Sequence, residues 1–478
     1  MAQRVILDGL WCGQGMANMV RVFDRTDVDP NTTPADWLCL FDFGSGGLSA
    51  SRKVLGITPP VKFVMDQLEL QQSAGRTPRI ELMLISHQDR DHWALLGELD
   101  AQIVERGMTV EVGKMMLSGS NWRDSSERAV GKFAARTADP DNDVTWYDGE
   151  YSSYYDPSNS APVLSLGDLE LWMLVTNVAT NDSKEDIERN CSSAVVLLRL
   201  KLRFNQYTSF ILPGDATWET FARLQEIMGA WKNNPLPAVY AASVPHHGAL
   251  RTMNRNSSVD DPDLSDLVWF TGYTRPTSIY ASAGIYNTHS HPYRVVLEVM
   301  GRYTSARQFW PRPVVMFNGG SGEFELIEKM RDNIYTTVLN LTSPALTANW
   351  IFDISELNQS TGIQLFEAGV PGILSAPVLS EMELAAQRAM ANEDEEFKMD
   401  TSDTEMVFTH SPILYALPED FFEQAPTAGR GMAWASLPSA DTAAPIRARH
   451  LPQPTAGATP NAARAAPPKR IRVVSRAS

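Results

Sequence analysis

The stretch "IELMLISHQDRDH", residues 80 to 92, constrains this chain more than any other. An apolar run that reads as a buried strand ends abruptly in His87, Asp89, Asp91 and His92. Imidazole and carboxylate are the standard ligands of first-row divalent ions. A surface loop with its charges facing water is the bland alternative. Contiguous polar positions at the tip of a core strand favour a site instead.

Three later stretches repeat the pattern. "ILPGDA" delivers Asp215 at a strand tip ahead of a helix, where an isolated aspartate also serves as a helix cap. "SVPHHGAL" runs a strand into His246 and His247, and "NTHSHPYR" holds His289 and His291. Of the eight histidines, six fall in these three histidine clusters, leaving only His410 and His450 elsewhere. The economical expectation is that several loops meet at one edge of the sheets and build a metal site.

The first ~330 residues read as one α/β unit. Strands are expected at "RVILDGLW", "ANMVRVFD", "DWLCLFDFGSGG" with its glycine-rich end, "IELMLIS", "VEVGKMMLS", "DLELWMLVT", "SAVVLLRLKLRF", "YTSFILPGDA", "AVYAASVPHHG" and "TSIYASAG", and helices at "PVKFVMDQLELQQ", "WETFARLQEIMGAW" and "YRVVLEVMGRY". Hairpins and strand–helix alternation together imply mixed sheets with helices packed outside. Residues 119 to 160 are polar, with Tyr147, Tyr151, Tyr154 and Tyr155, and read as an insertion. Residues 331 to 400 form a C-terminal extension, with a helix at "SEMELAAQRAMANEDEEF" capped by Ser380 and Glu383. Residues 401 to 478, rich in Pro, Ala, Ser and Thr, read as a largely disordered tail.

Net charge separates tail from body. The whole chain carries −16, and residues 442 to 478 hold seven basic residues and no acid, which leaves −16 − 7 = −23 on the rest. An acidic body is unlike a surface that grips nucleic acid non-specifically. The basic end offers a place to recruit nucleic acid or a protein partner. No apolar run approaches the ~20 residues of a membrane span. The N-terminus lacks the charge-then-apolar order of a secretory signal, and three scattered cysteines suit a reducing compartment, so the expected location is cytoplasmic.

"SHQDRDH", "ILPGDA" and "VPHHG", in this order, resemble the metallo-β-lactamase superfamily. They are most similar to the soluble hydrolase domain of ComEC-type DNA-uptake proteins, with its Ser-His-x-Asp-x-Asp-His pattern. "CGQGMANMVRVFD", "LFDFGSG", "NCSSAVVLL" and "THSHP" extend the resemblance over residues 4 to 302. It implies an αββα sandwich and a dinuclear centre of Zn or Mn ions. His87 and Asp89 would hold one ion, Asp91 and His92 the other, with Asp215 bridging and His289 as the late ligand. His246 and His247 would be a further ligand or the group that meets the substrate. Asn190 stands where many members carry another histidine, and Asp42 would support the site from behind. Trp93, Ala94 and Leu95 depart from the family's Asp-His-x-Gly-Gly, and Ala249 replaces a serine. DNA uptake is not implied, because membrane-spanning competence segments are absent.

Two such ions can bridge a hydroxide and stabilise an in-line displacement. The expected activity is therefore hydrolysis, foremost of phosphodiesters or nucleic acid, with Asp91, His246 and His247 as catalytic candidates. Asp89 in place of a second histidine hardens the site and tilts it toward manganese. Ester, thioester or lactam hydrolysis on the same fold, or a non-catalytic metal-binding scaffold, are the alternatives.

Overall fold

The structure is a computed structural model that describes residues 3–46, 59–119, 122, 124–139, 143–153, 161–180, 189–230, 236, 238–256, 258–284, 290–304, 312–330, 332–341, 346–355, 359–367 and 469–470. Period-2 side-chain alternation, the geometry of a pleated strand, builds two stacked sheets, beside which Arg312–Asn318 and Glu323–Met330 pair as a separate two-stranded sheet. In the first run the strands are β1 (Arg4–Gly9), β2 (Ala17–Phe23), β3 (Trp37–Phe43), β4 (Arg79–Ile85), β5 (Glu111–Ser118) and β6 (Val144–Tyr147). There follow β7 (Leu164–Leu166), β8 (Leu169–Val175), β9 (Val195–Lys201), β10 (Tyr207–Leu212), β11 (Ala238–Ser243) and β12 (Ser278–Ala281). The last are β13 (Arg312–Asn318), β14 (Glu323–Met330), β15 (Ile334–Thr336), β16 (Leu346–Ser355), β17 (Gln359–Glu367) and β18 (Lys469–Arg470).

The larger sheet has the order β17-β16-β1-β2-β3-β4-β5-β6-β18 and the smaller β15-β12-β11-β10-β9-β8-β7. Leu82 and Leu84 of β4 face Leu171, Met173, Leu198 and Phe210 of the smaller sheet in a core between the two. Their neighbours Met83 and Ile85 point the other way, onto helices Pro59–Ser73 and Leu96–Glu105. Ile211 and Leu197 likewise point out, onto helices Trp218–Ala230, Ser265–Thr274 and Arg294–Gly301. Strands β3 to β6 run parallel, as do β10, β11 and β12. Parallel neighbours need crossovers, and these helices supply them on the outer faces. The layers are therefore helix, sheet, sheet, helix: the αββα sandwich expected above.

The strands past residue 330, expected as an extension, are built into both sheets. β15 pairs with β12, and β16 pairs antiparallel along the whole of β1. Ala348, Trp350, Phe352 and Ile354 alternate inward and fill the inter-sheet core. The segment 119–160, expected as an insertion, contributes helix Asp124–Ala134 and the sheet strand β6. Tyr147 packs in the inter-sheet core, 4.9 Å from the Tyr151 ring, while Tyr154 and Tyr155 lie outside the described residues. The helix expected at 380–397 and the tail also lie outside them, apart from β18, which pairs with β6. No helix among the described residues is long and apolar enough to cross a membrane.

Candidate metal centre

The carboxyl ends of five strands bring the polar motifs together. β3 ends on Asp42, β4 on Ser86 and His87, β10 on Asp215, β11 on the turn Pro245–Gly248, and β12 on Ser282. A single turn of 3-10 helix, Arg90–His92, follows β4. Glycine is required where these loops meet. A Cβ on Gly44 would overlap the Asp91 and His92 backbone, and one on Gly214, at φ +54°, would run into the side chains of Ser193 and Ser86. Ser193 accepts the Asp215 N–H at 2.8 Å, which fixes that aspartate relative to β9. His246 and His247 both sit at positive φ, 45° and 54°. That conformation is unfavourable for non-glycine residues, and it is concentrated in general at functional sites.

Two groups of donor atoms share the Asp215 carboxylate. Oδ1 lies 3.1 Å from His92 Nε2 and 3.8 Å from His247 Nε2, and His247 Nε2 is 3.4 Å from Asp91 Oδ2. Oδ2 lies 3.4 Å from His246 Nε2 and 3.8 Å from His87 Nε2, which in turn is 3.9 Å from Asp89 Oδ2. Two ligands ~2.1 Å from one ion at a tetrahedral angle stand ~3.4 Å apart, so these spacings suit shared cations. Asp91, His92, Asp215 and His247 form a group whose ligand atoms all lie within 4.8 Å of one another.

Hydrogen bonding supports a cation here. His247 Nδ1 lies 2.7 Å from the Ser282 carbonyl, which can only accept, so Nδ1 carries a proton. A neutral His247 then turns the Nε2 lone pair toward two carboxylates. The Nε2 atoms of His87, His92 and His247 and the Asp215 Oδ1 atom are buried and make no aligned hydrogen bond, despite their proximity. Buried polar atoms normally find partners, and a divalent ion would supply them. Behind the donors, Asp42 Oδ2 is 3.0 Å from His92 Nδ1, and its Oδ1 accepts the Ser86 N–H at 2.7 Å. Thr252 Oγ1 is 2.9 Å from His246 Nδ1.

Burial and neighbours push the titrations apart. Burial opposes charge on His92 and His247, yet Asp215, joined by Asp42 or Asp91, outweighs it and raises both above the usual histidine range. Burial prevails at His87 and His246 and lowers them. Burial also opposes the Asp215 and Asp91 charges, but the surrounding histidines hold both carboxyls low.

The sequence-expected residues His87, Asp89, Asp91, His92, Asp215, His246 and His247 all meet at this centre. His289 lies outside the described residues. His291 is half-buried beside the cluster, its ring 6.1 Å from that of His247 and 5.9 Å from that of His246. Asn190 lies beside the cluster, its Nδ2 3.4 Å from His246 Nδ1. Trp93, Ala94 and Leu95 pack into the outer core under helix Leu96–Glu105 instead of walling the site, and the Trp93 indole donates to the Gln88 carbonyl at 2.9 Å. Sequence reasoning missed Ser86, Thr252 and Ser282, and Ser282 contributes through its backbone, which leaves no residue-type signal.

Neither a protein-family model nor a curated protein matches the chain. Among solved structures it is similar to the metallo-β-lactamase fold protein YhfI from Bacillus subtilis, at 10% identity and TM-score 0.30, covering 60% of this chain and 88% of that one. It is also similar to a long-form RNase Z from yeast, at 8% identity and TM-score 0.32, covering 60% of this chain and 38% of that one. A third is the metallo-β-lactamase MIM-1 from Novosphingobium pentaromativorans, at 12% identity and TM-score 0.22, covering 49% and 74% respectively. At these similarities no activity passes from those proteins to this chain.

Proposed function

We propose that this chain is a dinuclear metal-dependent hydrolase acting on phosphodiesters. The observation that carries the reading is one buried carboxylate, Asp215, shared between two sets of His and Asp donors. In this assignment His87, Asp89 and His246 hold one divalent ion and Asp91, His92 and His247 the other. His247 thus replaces His289 as the late ligand, and His246 and His247 serve as donors rather than as proton sources. Bound ions supply charge stabilisation and a water acidic enough to ionise near neutral pH. The mixed imidazole and carboxylate set suits Zn or Mn.

The remaining work falls to the chain. Asp42 and the Ser282 carbonyl hold the Nδ1–H of His92 and His247, so each presents Nε2 to the centre. The buried backing of the site, with His87 and His92 fully enclosed, limits water to the open side. Low dielectric there strengthens every interaction with a developing negative charge.

The test is metal analysis of the purified protein together with rates on bis(p-nitrophenyl) phosphate, DNA, RNA, p-nitrophenyl acetate and a cephalosporin. We expect about two ions per chain, phosphodiester cleavage abolished by chelator and restored by Mn or Zn, and loss of both metal and rate in Asp215→Asn. Cleavage of esters or lactams without phosphodiesters by the loaded protein would replace the phosphodiester reading. Metal binding without any turnover would favour a scaffold.

A further inference from the structure

We propose that Ser86 is the positioning residue that makes His87 a metal donor, its hydroxyl oxygen accepting the Nδ1–H of that ring. The inference rests on the reading above, in which His87 holds an ion, and goes beyond it by naming what fixes that ring for ligation.

The first observation is contact. Ser86 Oγ lies 3.2 Å from His87 Nδ1 and 3.3 Å from His92 Nδ1. The two rings meet edge to face, with centroids 4.1 Å apart. His92 has a better acceptor, because Asp42 Oδ2 is closer, at 3.0 Å, and carries charge. The Ser86 oxygen is left to serve His87.

The second observation is dependence. A neutral imidazole that ligates through Nε2 carries its proton on Nδ1, and a buried N–H needs an acceptor. Among the described residues, Ser86 Oγ is the hydrogen-bond partner of His87 Nδ1, and the His87 side chain is 0% exposed. Without the hydroxyl, the neutral ring gains by moving its proton to Nε2. There it lies 3.8 Å from Asp215 Oδ2 and 3.9 Å from Asp89 Oδ2. That tautomer turns an N–H instead of a lone pair toward the centre. Loss of the hydroxyl should therefore cost the ion at His87 and spare the ion at His92.

The third is fixity. Ser86 is buried, its N–H donates to Asp42 Oδ1 at 2.7 Å, and its carbonyl accepts the Ala194 N–H at 3.0 Å. Its backbone is thus tied to the end of β3 and to the start of β9, in opposite sheets. A Cβ on Gly214, the residue before Asp215, would come within 2.8 Å of the Ser86 Oγ. The side chain is boxed between that turn and the two rings, so the acceptor is in place before an ion arrives. The competing role is packing alone, with Oγ only filling the space beside Gly214.

Calorimetric titration of zinc into the metal-free full chain, wild type against Ser86→Ala, separates the two when joined to NMR of ¹⁵N-labelled histidine rings. It does not depend on turnover, and alanine adds no atom to the box. We expect Ser86→Ala to bind one ion as the wild type does. The other should bind about tenfold to a hundredfold more weakly, the usual cost of losing the outer partner of a metal-bound histidine. At one equivalent of zinc, the variant should show His92 and His247 ligated and His87 free. Wild-type affinity for both ions in Ser86→Ala overturns the proposal. So does equal weakening of both, which identifies packing, and so does a wild type in which zinc leaves the His87 ring untouched. A wild type that takes up a single ion through His87, held more weakly in Ser86→Ala, fails the dinuclear reading and leaves the role of Ser86 standing.

Discussion

Each histidine of the centre has its two ring nitrogens committed in opposite directions. Nδ1 meets the Ser86 hydroxyl in His87, Asp42 in His92, Thr252 in His246 and the Ser282 carbonyl in His247, while Nε2 turns to Asp215. Without metal, the carboxylates that surround His92 and His247 raise their pKa values against the pull of burial. Both therefore hold a proton to higher pH than a free imidazole does, and a metal ligand must be neutral. Metal uptake should therefore release protons, and apparent affinity should climb as pH rises above ~6.5, the unperturbed histidine value. Calorimetry of Mn binding in buffers of different ionisation enthalpy reads the proton count directly. Zero release at pH 7 would mean that these histidines are already neutral. The same groups set a sign for the metal-free fold. A raised folded pKa contributes stability that is complete below ~6.5 and is lost as pH rises through the folded values. Metal-free protein should thus lose this part of its stability on the alkaline side, where loaded protein gains affinity.

At the scale of elements, what could be read in the sequence and what could not have separate physical causes. β4 was legible because a buried strand in a parallel run is apolar on both faces, and β8, β9 and β10 because residues alternate between two cores. The motifs at the strand tips were legible because ligand chemistry restricts residue type. The choice of a late donor between "VPHHG" and "THSHP" was not, since both offer the same chemistry; the fold brings His247 to 3.4 Å from Asp91, and His289 lies outside the described residues. Thr252 and Ser282 were silent for a different reason: a hydroxyl and a carbonyl become functional only through where the fold puts them. The glycine-rich loop after β3 serves close approach, with Gly44 lying against the Asp91–His92 backbone. Gly44→Ala should therefore force that backbone to move, destabilising the fold by ~1–3 kcal/mol as overpacking does, and should weaken metal binding as well. Urea denaturation and metal titration of the variant check both. A wild-type midpoint with full metal content would show that the two loops are not in tight contact.

The molecule as a whole depends on strands that come late in the chain. β16 enters between β17 and β1, so one flank of the larger sheet is completed by residues more than 300 positions after its first strand. Trp350, Phe352 and Ile354 are each 1% exposed or less. Burying side chains of this size contributes roughly 1.5–3 kcal/mol apiece, about 5–9 kcal/mol together, against a total domain stability of roughly 5–15 kcal/mol. Their loss would also strip Arg4 of Asp353, whose two oxygens both lie 3.0 Å from its Nε. By comparison, the part of the chain after 367 contributes a two-residue strand at the far edge to the described fold. A chain ending at 330 should therefore fail to show a cooperative thermal transition. A chain ending at 367 should keep the midpoint of the full-length protein within a few degrees, about what a change of 1 kcal/mol produces in a domain of this size. Calorimetry of both truncations beside the full chain makes the comparison. A cooperative transition at the full-length midpoint in the shorter chain would place β16 outside the cooperative unit, and collapse of the longer one would give the segment after 367 a structural role.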